Sequence, residues 1–406
     1  MYSVIGIGLT GVSRFAYTVV IGRILGADML AAVSAALALT TIVSSIWPTG
    51  LGASGAHHVA TKLSQGQSFQ RLVRHLEMSF LASAAAIVLV TIGYSALSFH
   101  ETAVFFAAVV VLAVSYSGYI LARSLQLAVG QARRAAAWDA INAAISLLGL
   151  TIVLLLRQPQ FVLWPMALGF IVFMVQALVD LRGRAQIGTA EVAVPGKAIA
   201  ITTIWNSVSL LTSNGLIQFS MLIVFVAEPH ASSGLFAAAM SLATPAAMLS
   251  QALSQVLIPR ISAWRVTEAD HGRRQYARIF WALGALFTVV FGAVIALAPL
   301  VVAVFYGKNF ADAVGMLIIL LAGMWAFSIG IVATACLLAH RRERLVALVS
   351  ASSFVIGFVT ILLSAGPFGW GLASAMGVAL GYAVGGFVLS LASWRIVRDV
   401  PQRGEQ

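Results

Sequence analysis

The sequence predicts an all-α integral membrane protein with about twelve spanning helices in two six-helix bundles, and three observations carry that prediction. Apolar residues make up 61% of the chain and charged residues only 9%, against about 45–50% and about 25% in soluble domains. The apolar residues fall in runs long enough to cross a hydrocarbon core, about 20 residues each, and twelve such runs with short loops use nearly all of the 406 residues. The basic residues collect in alternate loops, as they do when a chain weaves through a bilayer.

Apolar runs between charged or Gly/Pro punctuation place the first six spans near 1–25, 28–60, 75–98, 102–128, 136–156 and 160–180. Six more follow near 199–227, 231–262, 276–305, 312–338, 345–364 and 369–394. Spans 28–60 and 231–262 exceed one straight crossing, and each holds an internal proline, Pro48 and Pro245, which removes a helical donor and kinks the helix. Both are read as long bent helices projecting into the cytoplasm. Residues 181–198 form the longest polar stretch without a helix signal. The domains are accordingly 1–182, a six-helix bundle, 183–198, a cytoplasmic linker, and 199–406, a second six-helix bundle.

The halves resemble each other. Leu30 to Ala38 in span 2 aligns with Leu235 to Ala243 in span 8, and Leu72-Val73-Arg74-His75 opening span 3 aligns with Tyr276-Ala277-Arg278-Ile279 opening span 9. An even number of spans per half makes the repeat parallel, about an axis along the membrane normal.

Of the 24 lysines and arginines, nineteen fall in the even-numbered loops and the C-terminal segment, among them Lys62, Arg133, Arg182, Arg278, Arg342 and Arg395. The odd-numbered loops hold only Arg23, Arg157 and Lys308, so the positive-inside rule places both termini in the cytoplasm. The same rule accounts for the net charge of +11 without nucleic acid, since basic loops face anionic lipid head groups. Cys336 is the single cysteine, which excludes an intrachain disulfide and a thiolate metal cluster. The apolar start at Met1 lacks a small-residue cleavage site followed by a soluble domain, so it is read as a retained first helix.

Enzymatic chemistry at a membrane needs a nucleophile, an acid/base pair or a metal cluster near an aqueous face. The short outer loops offer scattered groups, His100, Glu101, Glu228, His230 and Asp312 among them, with no motif. His57-His58 is the nearest approach to a metal pair, but neighbours on a helix point about 100° apart, and interfacial histidines are the simpler reading. No catalytic residue, metal or cofactor is expected.

Arg14 stands apart. It lies midway along span 1, where an arginine costs roughly 2.5–3.5 kcal/mol even on the translocon scale. Thr10, Tyr17 and Thr18 lie at i−4, i+3 and i+4 and share its face. It is read either as an anion-binding group in a water-filled cavity or as a structural arginine bonded to carbonyls of a neighbouring helix. Arg123, near the end of span 4, is read as snorkelling. Asn206, Ser207, Ser209, Ser213, Asn214, Gln218 and Ser220 fall within one half of the wheel of span 7, and Gln251, Ser254 and Gln255 add a polar strip in span 8. Such neutral residues also bond adjacent helices, but a polar half-wheel beside a central arginine favours a cavity wall. Arg14, Tyr17, Asn206, Ser213, Asn214, Gln218, Gln251 and Gln255 are therefore the candidate substrate-binding residues. No carboxylate lies mid-span, Glu77 and Asp139 being placed at cytoplasmic ends, and this suits an anion better than a cation.

Several segments resemble the multidrug/oligosaccharidyl-lipid/polysaccharide flippase superfamily. Ser13-Arg14 followed by Gly22-Arg23-Ile24-Leu25-Gly26 is similar to the first-helix pattern of its lipid-linked glycan flippases. Gly50-Leu51-Gly52, Leu257-Ile258-Pro259-Arg260 and Phe305-Tyr306-Gly307-Lys308-Asn309-Phe310 carry the likeness along nearly the whole chain. The resemblance implies a V-shaped pair of bundles around a cavity lined by helices 1, 2, 7 and 8. In the polysaccharide branch it implies outward movement of an undecaprenyl-diphosphate-linked oligosaccharide across the bacterial inner membrane, in functional company with glycosyltransferases and a polysaccharide polymerase. Arg14 matches a cavity arginine of the peptidoglycan-precursor flippases. A second arginine of that pattern is replaced by Val20, which argues against that precursor as substrate. The cytoplasmic segment usual before the first helix does not precede Met1, which leaves open whether the natural start lies upstream. Two alternatives remain: a cation-coupled multidrug exporter of the same superfamily, which would ordinarily carry an acidic residue in helix 1 or 7, and an intramembrane polysaccharide polymerase or ligase, which would need a substantial outer loop.

Overall fold

The computed structural model describes residues 2–99, 101–185, 195–245, 269–340 and 342–398, and these are helical apart from short turns. Helix α1 runs Tyr2–Ile46, but at its middle Gly26 has φ 87° and ψ −175°, a backbone conformation that only glycine adopts without strain. There the chain folds back. Arg14 Nη2 lies 3.3 Å from the carbonyl of Leu37, whereas 23 residues of straight helix would part them by about 35 Å. So α1 is a hairpin whose arms, 2–25 and 27–46, are the first two expected spans.

Trp47 breaks the second arm, and Pro48 opens α2, Pro48–Ser64, in the first-turn position where a missing N–H is harmless. The kink expected at Pro48 is thus a helix boundary. Then follow α3 (Gln70–Ser98), α4 (Ala103–Ala128), α5 (Ala132–Leu155) and α6 (Trp164–Ala185). Thr102 caps α4 by accepting from Phe105 N. Helix α7, Gly196–Ala227, is bent by 60° between its segments Gly196–Ser213 and Gly215–Ala227. The helix α8 is described over 230–245, so the course beyond Pro245 lies outside the described residues. The expected single span 276–305 is two helices, α9 (Ala269–Ala296) and α10 (Ala298–Phe305), separated at Leu297 where Pro299 starts a new first turn. Helices α11 (Ala313–Ala339), α12 (Glu343–Phe368) and α13 (Trp370–Arg398) complete the order.

Among the described residues nine helical stretches are long and apolar enough to cross a membrane, and the bent α7 makes ten. One of the nine, Gly8–Ile46, holds both arms of α1, and α8 is the described part of a further expected span. The chain is a multi-pass membrane protein. Its outer faces agree: Leu89 and Leu97 on α3 are 71% and 85% exposed, as suits side chains that face lipid tails.

Internal packing divides the chain into two compact units, Met1–Ile21 with Ala32–Val226, and Gly22–Ala31 with Ala227–Gln406. This differs from the expected division at 182 and 199, because α7 belongs to the first unit. The physical reason is its hydroxyl-rich side. Thr202 Oγ1 lies 2.5 Å from Ser54 Oγ on α2, Tyr94 of α3 donates to the carbonyl of Leu222, and Ser207 packs on Gly50. A Cβ on Gly50 would sit 2.2 Å from Ser207 Oγ and 2.5 Å from the carbonyl of Thr203, so only glycine allows this approach. Beneath that contact Leu51, Leu72, Leu76, Leu121, Leu125 and Ile199 form one buried core.

In the second unit α11 and α13 meet through small residues: Gly323 faces Ala379, and Gly330 faces Gly386, a seven-residue spacing on each helix that brings the backbones together. The tip of the α1 hairpin also belongs to this unit. Arg23 donates to the carbonyl of Val304 at 2.9 Å, Gly22 lies under the ring of Tyr306, and Gly234 of α8 packs on Ala27.

Candidate functional site

The polar face of the first arm separates into three parts. Thr10 donates to the carbonyl of Gly6 and lies 3.5 Å from Tyr119 Oη. Thr18 is buried and donates to the carbonyl of Phe15 at 2.9 Å. Tyr17, expected to line the cavity, is instead wholly buried, and its hydroxyl donates to the carbonyl of Val162 ahead of α6. It is a packing clamp. A tyrosine that is buried in a core and donates its hydroxyl internally has no donor left for an anion.

Arg14 remains half-buried. Its Nη2 donates to the carbonyl of Leu37 and to Thr41 Oγ1, both at 3.3 Å, while Thr41 Oγ1 itself donates to Leu37 O at 2.8 Å. No acidic residue pairs with it among the described residues. A guanidinium has five donors, so two bonds from one nitrogen leave Nε and Nη1 open. Carbonyl bonding, foreseen for a structural arginine, is therefore part of the arrangement, and an uncompensated positive charge is the other part.

The polar half-wheel of α7 is only partly a wall. Thr203 and Ser207 are buried against α2, and Ser220 is buried and donates to the carbonyl of Ile217. Asn206, Ser213 and Gln218 are half-buried. Ser213 donates to the carbonyl of Leu210, and Gln218 Oε1 is buried with no hydrogen-bond partner among the described residues. Asn214 sits at the bend, its side chain outside the described residues, and Gln251 and Gln255 lie outside them too. Both bonds of Arg14 go to the second arm of α1, not to α7.

One constellation was not foreseen. Arg123 does not snorkel: its Nε lies 3.0 Å from Asp139 Oδ2, the carboxylate being wholly buried and the guanidinium nearly so. Tyr119 donates to Asp139 Oδ1 at 2.8 Å, and Arg123 Nη2 donates to the carbonyl of Ser3. Gly6 packs against the same carboxylate, where a Cβ would stand 2.3 Å from Oδ2. Asn142 and Ser146 continue this buried polar face of α5. The available signal was spacing: Tyr119 and Arg123 are one turn apart, and Asp139 lies at matching depth across the short α4–α5 turn. A pair of this kind is electrically neutral and stable only while both partners are present.

The histidine pair on α2 is also placed. The rings of His57 and His58 are 5.5 Å apart, edge to face, and the described residues contain no group of three or more His, Cys, Asp or Glu fit for a metal. Burial, then the neighbouring His57 and Lys62 charges, push the His58 imidazole below its ordinary value, so it stays neutral at neutral pH.

No protein-family model matches the chain, and no curated protein matches it. Its fold does match solved structures. A multidrug resistance MATE family transporter of the MOP superfamily, in its inward-facing conformation, superposes with a TM-score of 0.77 at 13% identity, over 98% of this chain and 96% of that one. The lipid II flippase MurJ, inward closed, gives 0.72 at 12% identity over 94% and 85%. The Vibrio cholerae MATE transporter VcmN gives 0.66 at 15% identity over 97% and 95%. The chain thus has the membrane-transporter fold that these proteins share.

Proposed function

We propose that this protein is a non-enzymatic flippase that moves a polyprenyl-diphosphate-linked oligosaccharide outward across the bacterial inner membrane for polysaccharide biosynthesis. Arg14 carries the reading. A half-buried guanidinium in a membrane span, with open donors and no carboxylate beside it, is costly unless water or an anion reaches it. A lipid-linked diphosphate supplies that anion while its polyprenyl tail stays in lipid. Alternating exposure of the Arg14 face to the two sides then moves the head group without bond chemistry. An inside-negative potential favours outward passage of the diphosphate by about 2.3 kcal/mol per charge per 100 mV.

A cation-coupled drug exporter needs a carboxylate that is free to load and release its ion. The one carboxylate fully buried in a span among the described residues, Asp139, is already neutralised by Arg123. That occupancy supports the anion reading over the exporter. The partners that follow are the glycosyltransferases that build the substrate and the polymerase that receives it.

Reconstitution into vesicles distinguishes the two. Lipid-linked oligosaccharide placed in one leaflet should become accessible to a hydrolase in the other only when the protein is present. Exchange of a cationic drug for sodium or protons, with no movement of the glycolipid, would establish the exporter instead.

Both termini are placed in the cytoplasm, on the charge asymmetry of the loops. Cys336, the single cysteine, is buried, so cysteines introduced one at a time can be read against a low background. A membrane-impermeant maleimide applied to intact cells should label positions 101 and 230 and spare positions 133 and 342. Labelling at 342 overturns the orientation.

A further inference from the structure

The second arm of α1 changes character where it meets Arg14. From Leu30 to Thr40 every residue of the arm is buried, and from Thr41 one face opens: Thr41, Ser45 and Thr49 are half-buried and Ile46 is 50% exposed. A head group held at Arg14 can therefore extend along this arm only toward Ser45 and Thr49. Thr41 and Ser45 are one turn apart, about 6 Å along the axis, and Thr49 follows beyond the break at Trp47. Their hydroxyls share one arrangement. Thr41 donates to Leu37 O, Ser45 to Thr41 O and Thr49 to Ser44 O, each at 2.8 Å. The last bond stands in for the main-chain donor that Pro48, four residues after Ser44, does not have.

A hydroxyl has one donor and two acceptor lone pairs, so a proton turned onto the main chain leaves the oxygen as an acceptor. Thr41 already serves in this way, accepting from Arg14 at 3.3 Å. Bonds of this kind are common in helices, and Ser44 makes one to Thr41 O at 2.9 Å, but Ser44 is buried. The half-open position beside Arg14 is what distinguishes Ser45 and Thr49. The two parts of this surface are opposite in kind. Leu37 O and Thr41 Oγ1 lie 2.8 Å apart and share one N–H of Arg14, which leaves a two-pronged edge of the guanidinium open and offers donors alone. Ser45 and Thr49 offer acceptors. Phosphate oxygens are acceptors and suit the first, whereas sugar hydroxyls and the N–H of an acetamido group are donors and suit the second. We infer that Ser45 and Thr49 bind the sugar next to the diphosphate, and that this sugar is an uncharged hexose or N-acetylhexosamine, since a sugar carboxylate would meet acceptor oxygens there. The inference rests on Arg14 binding the diphosphate.

The test uses the full-length chain purified in detergent and two probes that differ only in a sugar, farnesyl diphosphate and farnesyl-diphosphate-linked N-acetylglucosamine. The natural protein should bind the second about tenfold more tightly, the scale of two modest hydrogen bonds. Ser45→Ala orphans no acceptor, because Thr41 O keeps the bond from Ser44. It should cut the sugar's advantage about threefold and bind farnesyl diphosphate as before. Thr49→Ala should cut the advantage by a similar factor, and Ser45→Thr, which keeps the hydroxyl, should preserve it. Farnesyl-diphosphate-linked glucuronic acid should gain nothing over farnesyl diphosphate; if it binds as tightly as the N-acetylglucosamine probe, the uncharged sugar is wrong. Equal binding of the first two probes by the natural protein, or a Ser45→Ala variant that keeps the full advantage or weakens both probes alike, overturns the sugar contact and leaves the phosphate reading intact. Binding of neither probe by the natural protein, or of farnesyl diphosphate by Arg14→Ala as tightly as by the natural protein, overturns the phosphate reading itself.

Discussion

Replacing Arg14 by alanine is expected to abolish export of the lipid-linked glycan while the protein still accumulates in the membrane. The structure gives a reason to expect both halves of that result. Without the guanidinium, Leu37 O keeps the hydrogen bond from Thr41, so no buried acceptor is orphaned and stability should change by no more than about 1 kcal/mol. A mid-span cation is also removed, which favours insertion by roughly 2.5–3.5 kcal/mol on the translocon scale. Arg14→Lys should rescue only in part, since an ammonium keeps the charge but loses the two-pronged geometry. Complementation of a strain lacking the flippase, read alongside the amount of protein in the membrane, checks both. Full activity of Arg14→Ala disposes of the anion site. Loss of activity explained entirely by failure to accumulate shows that the arginine is structural.

The second large effect concerns the buried pair. Asp139→Asn keeps an acceptor for Tyr119 but leaves Arg123 as an unpaired cation in the protein interior, and removing one partner of such a pair costs about 3–5 kcal/mol. Arg123→Met leaves the opposite charge and should cost a similar amount. The double replacement strands neither charge, so its thermal midpoint in detergent should recover most of the loss, and transport should recover with it. If the double variant is as unstable as the worse single one, the two residues are not coupled in the way that their 3.0 Å contact implies. Recovery of stability without transport would instead assign the pair a part in the transport cycle.

The helices and the mid-span depth of Arg14 were legible because both depend on position along one chain. Depth within an apolar run singles out Arg14 without any neighbour, and Pro48 marked a break in the run, read as a kink where the structure has a helix boundary. The break at Leu297 was missed although Pro299 carries the same signal as Pro48, because the run is apolar on both sides of it and hydropathy shows no dip. Tyr17 was misplaced for a different reason. A helical wheel fixes the face that it shares with Arg14, but not that Val162, 145 residues away, receives its hydroxyl. The hydroxyls of α7 carried the same ambiguity, since Ser207 on a glycine and Ser213 on a half-open face are alike in sequence. Asp139 and Arg123 look like two interfacial charges until α4 and α5 are set side by side.

The hairpin tip also sets a timetable for biosynthesis. Arg23 and the carbonyl that it meets at Val304 are separated by 281 residues, and at about 5–20 residues per second the ribosome needs roughly 15–60 s to deliver the second after the first. Through that interval the arms of α1 can close on each other, but Gly22 waits without the Tyr306 ring and Ala27 without Gly234. The first turn to be synthesised is therefore among the last to be finished. During translation, a cysteine near Arg23 should stay open to a thiol reagent until residue 306 has left the ribosome.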